Sequence, residues 1–224
     1  MQRHFDEELD LLKENILRMA ALVESRIHAC IEALVNRESS MARKIIEGDE
    51  EINKLQMEVD ENSLKLIALH QPAASDLRFL AMAMRMSGEL ERMGDLAVNI
   101  AKCTEKLSAE FPLKPLIDIP RMANIAEDMV KSSIDAFVKK DADIARKVCE
   151  SDDQVDALRD QIFRELLTYM MEDPKTIARS IELILISRHL ERIADHATNI
   201  AEDVIYMVKG EDIRHHAMEK QPYT

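Results

Sequence analysis

Residues 91–101 read Glu91-Arg92-Met93-Gly94-Asp95-Leu96-Ala97-Val98-Asn99-Ile100-Ala101, and residues 191–201 read Glu191-Arg192-Ile193-Ala194-Asp195-His196-Ala197-Thr198-Asn199-Ile200-Ala201. Seven of the eleven positions are identical: Glu, Arg, Asp, Ala, Asn, Ile and Ala. The spacing is helical. At about 100° per residue, Glu91, Asp95 and Asn99 fall within about 80° of one another, as do Glu191, Asp195 and Asn199. Each copy therefore carries two carboxylates and an amide along one stripe, with Arg92 and Arg192 flanking them.

Outward from these stretches the chain reads as long helices. Apolar positions recur at helical spacing from Phe5 to about Val35, and a second helix spans about Met41 to Leu69, with Ser39 or Ser40 available as its cap. His70-Gln71-Pro72 stops it, and a third helix runs from about Ser75 through the first motif to about Leu107. The segment Glu110-Phe111-Pro112-Leu113-Lys114-Pro115-Leu116 breaks the pattern, and the programme then restarts. Helices follow over about 121–138, 142–171 and 176–208, the last ended by Gly210.

The restart is a repeat of sequence. Ala42-Arg43-Lys44-Ile45 aligns with Ala145-Arg146-Lys147-Val148 at an offset of 103, while the later motif sits at an offset of 100. The expected fold is all-α: two tandem three-helix bundles of long antiparallel helices related by a pseudo-twofold. The units are 1–109 and 119–212, joined by a linker at 110–118 and followed by a polar tail at 213–224.

Bulk composition agrees and narrows the function classes. Apolar residues make up 46% and aromatic residues only 4%, with no Trp and 14 Met, which suits helix packing better than sheets. The formal net charge of −13 argues against nucleic acid and against an anionic membrane surface. No window approaches the ~18 apolar residues of a membrane span, and the start MQRHFDEELDLL has no apolar signal run. Cys30, Cys103 and Cys149 are far apart and in no C-x-x-C spacing, so reduced thiols in a cytoplasmic protein are expected.

Two carboxylates at i,i+4 stand about 5–6 Å apart at Cβ and repel by a few tenths of a kcal/mol. A bound cation reverses that sign, and carboxylate and amide oxygens suit Mg²⁺, Mn²⁺, Ca²⁺ or iron. The second helix of each unit adds matching pairs, Asp49 with Asn53 and Asp152 with Asp156. An acidic stripe on a long helix is also what an ordinary solvated face looks like. The repeat weighs against that reading, because Glu, Arg, Asp and Asn are kept in both copies while core positions drift, Leu34 against Phe137 and Ile52 against Val155. No catalytic centre is legible. There is no Glu-x-x-His pair of the kind helical di-iron enzymes use, no Gly-rich phosphate loop and no G-x-S-x-G. His196 replaces Leu96 of the first copy, so His189 and His196 read as packing or shell residues and not as ligands.

With these residues in view the chain resembles the PhoU family of phosphate-response regulators. The resemblance rests on the doubled Glu-Arg-x-x-Asp-x-Ala-x-Asn-Ile-Ala motif, on Asp76-Leu77-Arg78 opening the third helix, and on the ending Val208-Lys209-Gly210-Glu211-Asp212-Ile213-Arg214-His215. It implies divalent or iron-type ions (Mg, Mn, Fe or Zn) on Glu91 with Asp95, Glu191 with Asp195, and Asp152 with Asp156. Asp49 with Asn53 departs from that pattern, an amide standing where a carboxylate is expected. The resemblance further implies a non-enzymatic cytoplasmic adaptor, peripheral to the inner face of the membrane through partners. Those partners are the ATPase component of the phosphate ABC transporter and a sensor histidine kinase, with a homodimer as the assembly. The role implied is to repress the phosphate-starvation response and restrain phosphate uptake. Two rivals stand beside it: a helical carboxylate-bridged metalloenzyme, and a helical scaffold whose acidic stripes are merely solvated.

Overall fold

The computed structural model describes residues 2–48 and 50–210. Asp49 and the tail from residue 211 therefore lie outside the described residues, and with them one expected site residue and the end of the C-terminal motif. Among the described residues seven α-helices follow one another: α1 (Gln2–Asn36), α2 (Ser39–Glu47), α3 (Glu50–His70), α4 (Ala74–Ser108), α5 (Asp118–Lys139), α6 (Ala142–Glu172) and α7 (Ile177–Lys209). A short 3₁₀ turn, Pro174–Thr176, precedes α7. At 1.5 Å per residue α4 is about 50 Å long.

Three boundaries differ from the sequence reading. The second helix is interrupted at Gly48, giving α2 and α3 in place of one element. The residue before α2 is Glu38, whose side chain makes no capping bond, so neither Ser39 nor Ser40 caps it. The helix α5 starts at Asp118, with Pro120 inside its first turn, where the missing N–H has no intrahelical partner to lose.

The repeat extends into the backbone between helices. Arg37 after α1 and Lys140 after α5 are equivalent at the offset of 103, and both adopt positive φ, 59° and 52°. Behind each, the next N–H folds back onto the helix: Glu38 donates to the Ala33 carbonyl at 2.8 Å, and Asp141 to Ala136 at 2.9 Å. This closes orphan carbonyls at both helix ends.

The helices α1, α2–α3 and α4 form one unit and α5, α6 and α7 its counterpart, with α3 and α6 in corresponding outer positions. The two units share a core, because α4 packs on α7 and α1 on α5. All-round burial of Leu90, Met93, Ala97 and Ala101 on α4, and of Leu190, Ile193, Ala197 and Ala201 on α7, joins them into one apolar cluster. Phe79 of α4 stacks on Phe137 of α5, ring centroids 5.2 Å apart. The helices α4 and α7 run antiparallel: Arg85 meets Asp203 at 2.9 Å, while Lys106 at the far end meets Glu182 at 2.8 Å. Between those points the two motifs cross.

The segment joining the units is tied down. Arg37 donates to the Leu107 carbonyl at 2.8 Å and also to the Glu110 carbonyl, Arg179 donates to the Phe111 carbonyl at 3.0 Å, and Lys114 pairs with Glu165 of α6. Leu113 and Leu116 pack on the core, while Phe111 and Ile117 stay exposed. Among the described residues no helix is long and apolar enough to cross a membrane.

Candidate metal centre

In the second unit the sequence expectation and the geometry meet. Asp152 and Asp156 on α6 face Glu191 and Asp195 on α7, and the four carboxylates act on one another. Burial pushes the Asp152 carboxyl up, the Asp195 and Asp156 charges push it further, and it reaches about 6 although the Thr198 hydroxyl partly offsets this. Asp195 is raised by burial and then by Asp156. Glu191 is also raised, again by burial first, with Asp195 and Asp156 adding to it and Arg159 opposing. Each shift has the sign of a like-charge cluster taken partly out of water.

A side chain absent from the sequence expectation sits in this cluster. The Arg159 guanidinium of α6 places Nη2 3.5 Å from Asp156 and 3.4 Å from Glu191, and Nη1 3.0 Å from Asp160. Its Nε is buried with no hydrogen-bond partner. The spacing Asp156-x-x-Arg159 is the i,i+3 signal that marks such a pair in sequence, but only the fold brings Glu191 to its other side.

In the first unit Glu91 is half-buried and Asp95 exposed on α4. Asn53 of α3 is half-buried, and its Oδ1 is a buried acceptor with no partner. The two helices approach closely here. A Cβ added at Gly94 would stand 3.0 Å from Ile52 Cδ1 and 3.6 Å from Arg26 Nη1. The second unit exchanges these sizes, with Ala194 in place of Gly94 and Val155 in place of Ile52, so one methyl group moves from one helix to the other and the summed side-chain size is kept. Arg26 donates to the Gly48 carbonyl at 2.7 Å and stands against the motif where the second unit has the buried Met129.

The amides of the two motifs do not share one environment. Asn199 donates to Glu89 of α4 at 3.3 Å, and His196 Nδ1 lies 2.6 Å from the same carboxylate, with Arg92 3.8 Å away. Asn199, His196 and Arg92 thus serve the junction between the units. Burial opposes ionisation of Glu89, but the His196 hydrogen bond and charge, then Asn199 and Arg92, outweigh it and hold its carboxyl below the ordinary value. Asn99 is half-buried on α4, and Arg192 is exposed on α7, bearing electrostatically on Asp195 and His189. Glu89 carries no sign of its role in sequence, because at an offset of 100 its counterpart is His189.

The donor set fits a hard cation in kind: carboxylate and amide oxygens only, crowded enough that added positive charge is stabilising, with an orphaned Asn53 oxygen in the first unit. Among the described residues no three His, Cys, Asp or Glu side chains are gathered around one point as ligands of a single ion. Burial pushes the Cys30 and Cys103 thiols up to about 12 and Cys149 to about 11, so the three free cysteines are not thiolates at neutral pH.

The chain matches the PhoU domain twice, over residues 16–104 and 119–204. A phosphate-specific transport system accessory protein PhoU homolog of Aquifex aeolicus is 43% identical over 96% of this chain and 97% of its own length. A Pseudomonas putida protein of the same description is 37% identical over 98% and 86%. The crystal structure of PhoU from Pseudomonas aeruginosa superposes with a TM-score of 0.89 at 38% identity, covering 92% of this chain and 100% of that one. That of the phosphate transport system regulatory protein PhoU from Streptococcus pneumoniae gives 0.86 at 31%, covering 93% and 98%. With both matched segments falling on the two helical units, and relatives this similar along nearly the whole length, the chain belongs to the PhoU family.

Proposed function

We propose that the chain is a non-enzymatic regulatory accessory of a phosphate-specific transport system, and that it works by carrying hard metal ions on its acidic stripes. The transport role is supported by the description its relatives carry. The metal reading is carried by one observation: Asp152, Asp156, Glu191 and Asp195 are brought to one place between α6 and α7, where burial first, and then the Asp195 and Asp156 charges, raise Asp152 to about 6. Those four residues would hold the ion in the second unit, and Glu91, Asp95 and Asn53, with Asp49, in the first. A bound cation supplies charge neutralisation there. The chain's own contribution is to pack α6 against α7 and α3 against α4, which brings the helices that carry these side chains together, with the Thr198 hydroxyl beside Asp152.

In this reading the protein is cytoplasmic and reaches the membrane only through partners. Those partners are the ATPase component of the phosphate ABC transporter and a sensor histidine kinase. Its loaded state represses the starvation response and restrains uptake when phosphate is plentiful, and the working form is a homodimer. Mass spectrometry of untagged protein purified without chelator tests the metal half: the E91A/D95A/E191A/D195A variant loses the bound ion, and unchanged stoichiometry overturns that half. Co-purification with the two partners tests the adaptor half, and absence of both from the complex overturns it.

A further inference from the structure

The acidic site of the second unit already holds a cation of its own. Arg159 Nη2 stands between Asp156 at 3.5 Å and Glu191 at 3.4 Å, one carboxylate from each helix. A divalent ion held by carboxylates of both helices would compete with the guanidinium for the same two side chains, Asp156 and Glu191. The guanidinium is not fully built in. Its Nε is a buried donor without a partner, and a buried donor left unmade costs free energy that a well-seated structural arginine avoids. A second, outward carboxylate is at hand: Nη1 lies 3.0 Å from Asp160, whose side chain is well exposed. The first unit has Gln56 at the equivalent position, so no charge stands there on α3. Its nearby arginine, Arg26, comes from α1 and is held by the Gly48 carbonyl.

We infer that Arg159 is a displaceable internal counter-ion of the α6–α7 site, filling the space between Asp156 and Glu191 until a divalent ion takes it and turns the guanidinium out toward Asp160. The inference rests on the metal reading above and adds its regulation. Ion binding at this unit is an exchange of one cation for another, so it is weaker than the four carboxylates alone would make it. Loading also changes the outer face of α6, where an arginine engaged with two helices becomes one engaged with Asp160. A partner can read that change without touching the ion.

The test uses the full chain with the first unit disabled by E91Q/D95N, titrated calorimetrically with Mn²⁺ after chelator treatment. Replacing Arg159 by the residue of the other repeat, R159Q, removes a positive charge a few ångströms from the ligands and tightens Mn²⁺ binding about tenfold. R159K keeps the charge while losing the two-helix span, and its affinity stays within about threefold of the parent. A second readout is thermal: without metal R159Q melts below the parent, and Mn²⁺ raises its melting temperature by more than it raises the parent's. Equal Mn²⁺ affinity in R159Q and parent, or weaker binding in R159Q, overturns the exchange while leaving the metal reading in place. No Mn²⁺ binding by parent or variant removes the metal reading and this inference with it.

Discussion

The contact between Gly94 and Ile52 allows a quantitative test of how the two repeats were fitted to one backbone. Substituting Gly94→Ala in a helix interior favours the folded state by about 1 kcal/mol through propensity alone. Against this, the new Cβ stands 3.0 Å from Ile52 Cδ1, inside the ~3.5–4.0 Å of carbon–carbon contact. Overpacking of this kind costs about 1–3 kcal/mol, and the site has little room to yield because Ile52 is fully buried. The net expectation for G94A is a loss of about 1 kcal/mol. Ile52→Val alone loses a buried methylene and costs about 1 kcal/mol. The double variant recreates the Ala194 and Val155 pairing of the second unit, where both residues are buried. Removing Cδ1 takes away the clash, so the pair returns to within about 0.5 kcal/mol of wild type where additivity predicts a loss of about 2. Urea denaturation followed by far-UV circular dichroism, in chelator so that ion binding does not enter, measures all four corners of the cycle. Additive effects, or a stabilised G94A single variant, would refute the size-exchange argument.

Other expectations follow from the charged groups. Asp152 has a folded value of about 6, above its ordinary carboxylate value near 3.9, so between these limits the folded protein binds more protons than the unfolded one. Its contribution therefore lowers stability as pH rises from about 4 to 6, and the chelated protein gains stability on moving from pH 7 toward 5. D152N should flatten that part of the profile, and an unchanged pH profile in urea titrations would count against the crowding of the four carboxylates. Arg85→Ala removes the 2.9 Å ion pair to the buried Asp203 carboxylate and should cost about 2 kcal/mol, a melting-temperature drop of about 4–8 °C in a chain of this size. The equivalent pair at the other end of α4 and α7 is Leu185 with Cys103, so R85L/D203C should recover most of that loss, and a double variant no better than R85A would disprove the equivalence.

What could be read from the chain itself was whatever repeats at short range. Helix periodicity, the Pro-containing segment near 110–116 and the doubled acidic stripe all depend on residues within a few turns of one another, and both faces of α4 follow from them. The break at Gly48 was not legible, because a single glycine inside a helical pattern costs only about 1 kcal/mol and neighbouring helices decide whether the chain continues through it. The same limit applied to Ser39 and Ser40, good capping residues that the chain passes without using.

The sequence by itself determined the all-helical class, the two-unit repeat and which residues could offer oxygen ligands. The tertiary structure decided which of those oxygens face one another. Asp152 and Asp195 are brought together by the α6–α7 packing, whereas Asn199, on the same stripe as Asp195, turns to Glu89, 110 positions away. Arg159 enters the acidic cluster, and His196, expected as a packing or shell residue, finds its partner in Glu89 at 2.6 Å. It also merged two units into one core through α4 on α7 and α1 on α5. The physical reason is common to these cases. A helix's own period sets which side chains share a face, but the partner on the opposite face is chosen by the crossing of helices distant in sequence. No local pattern encodes that crossing.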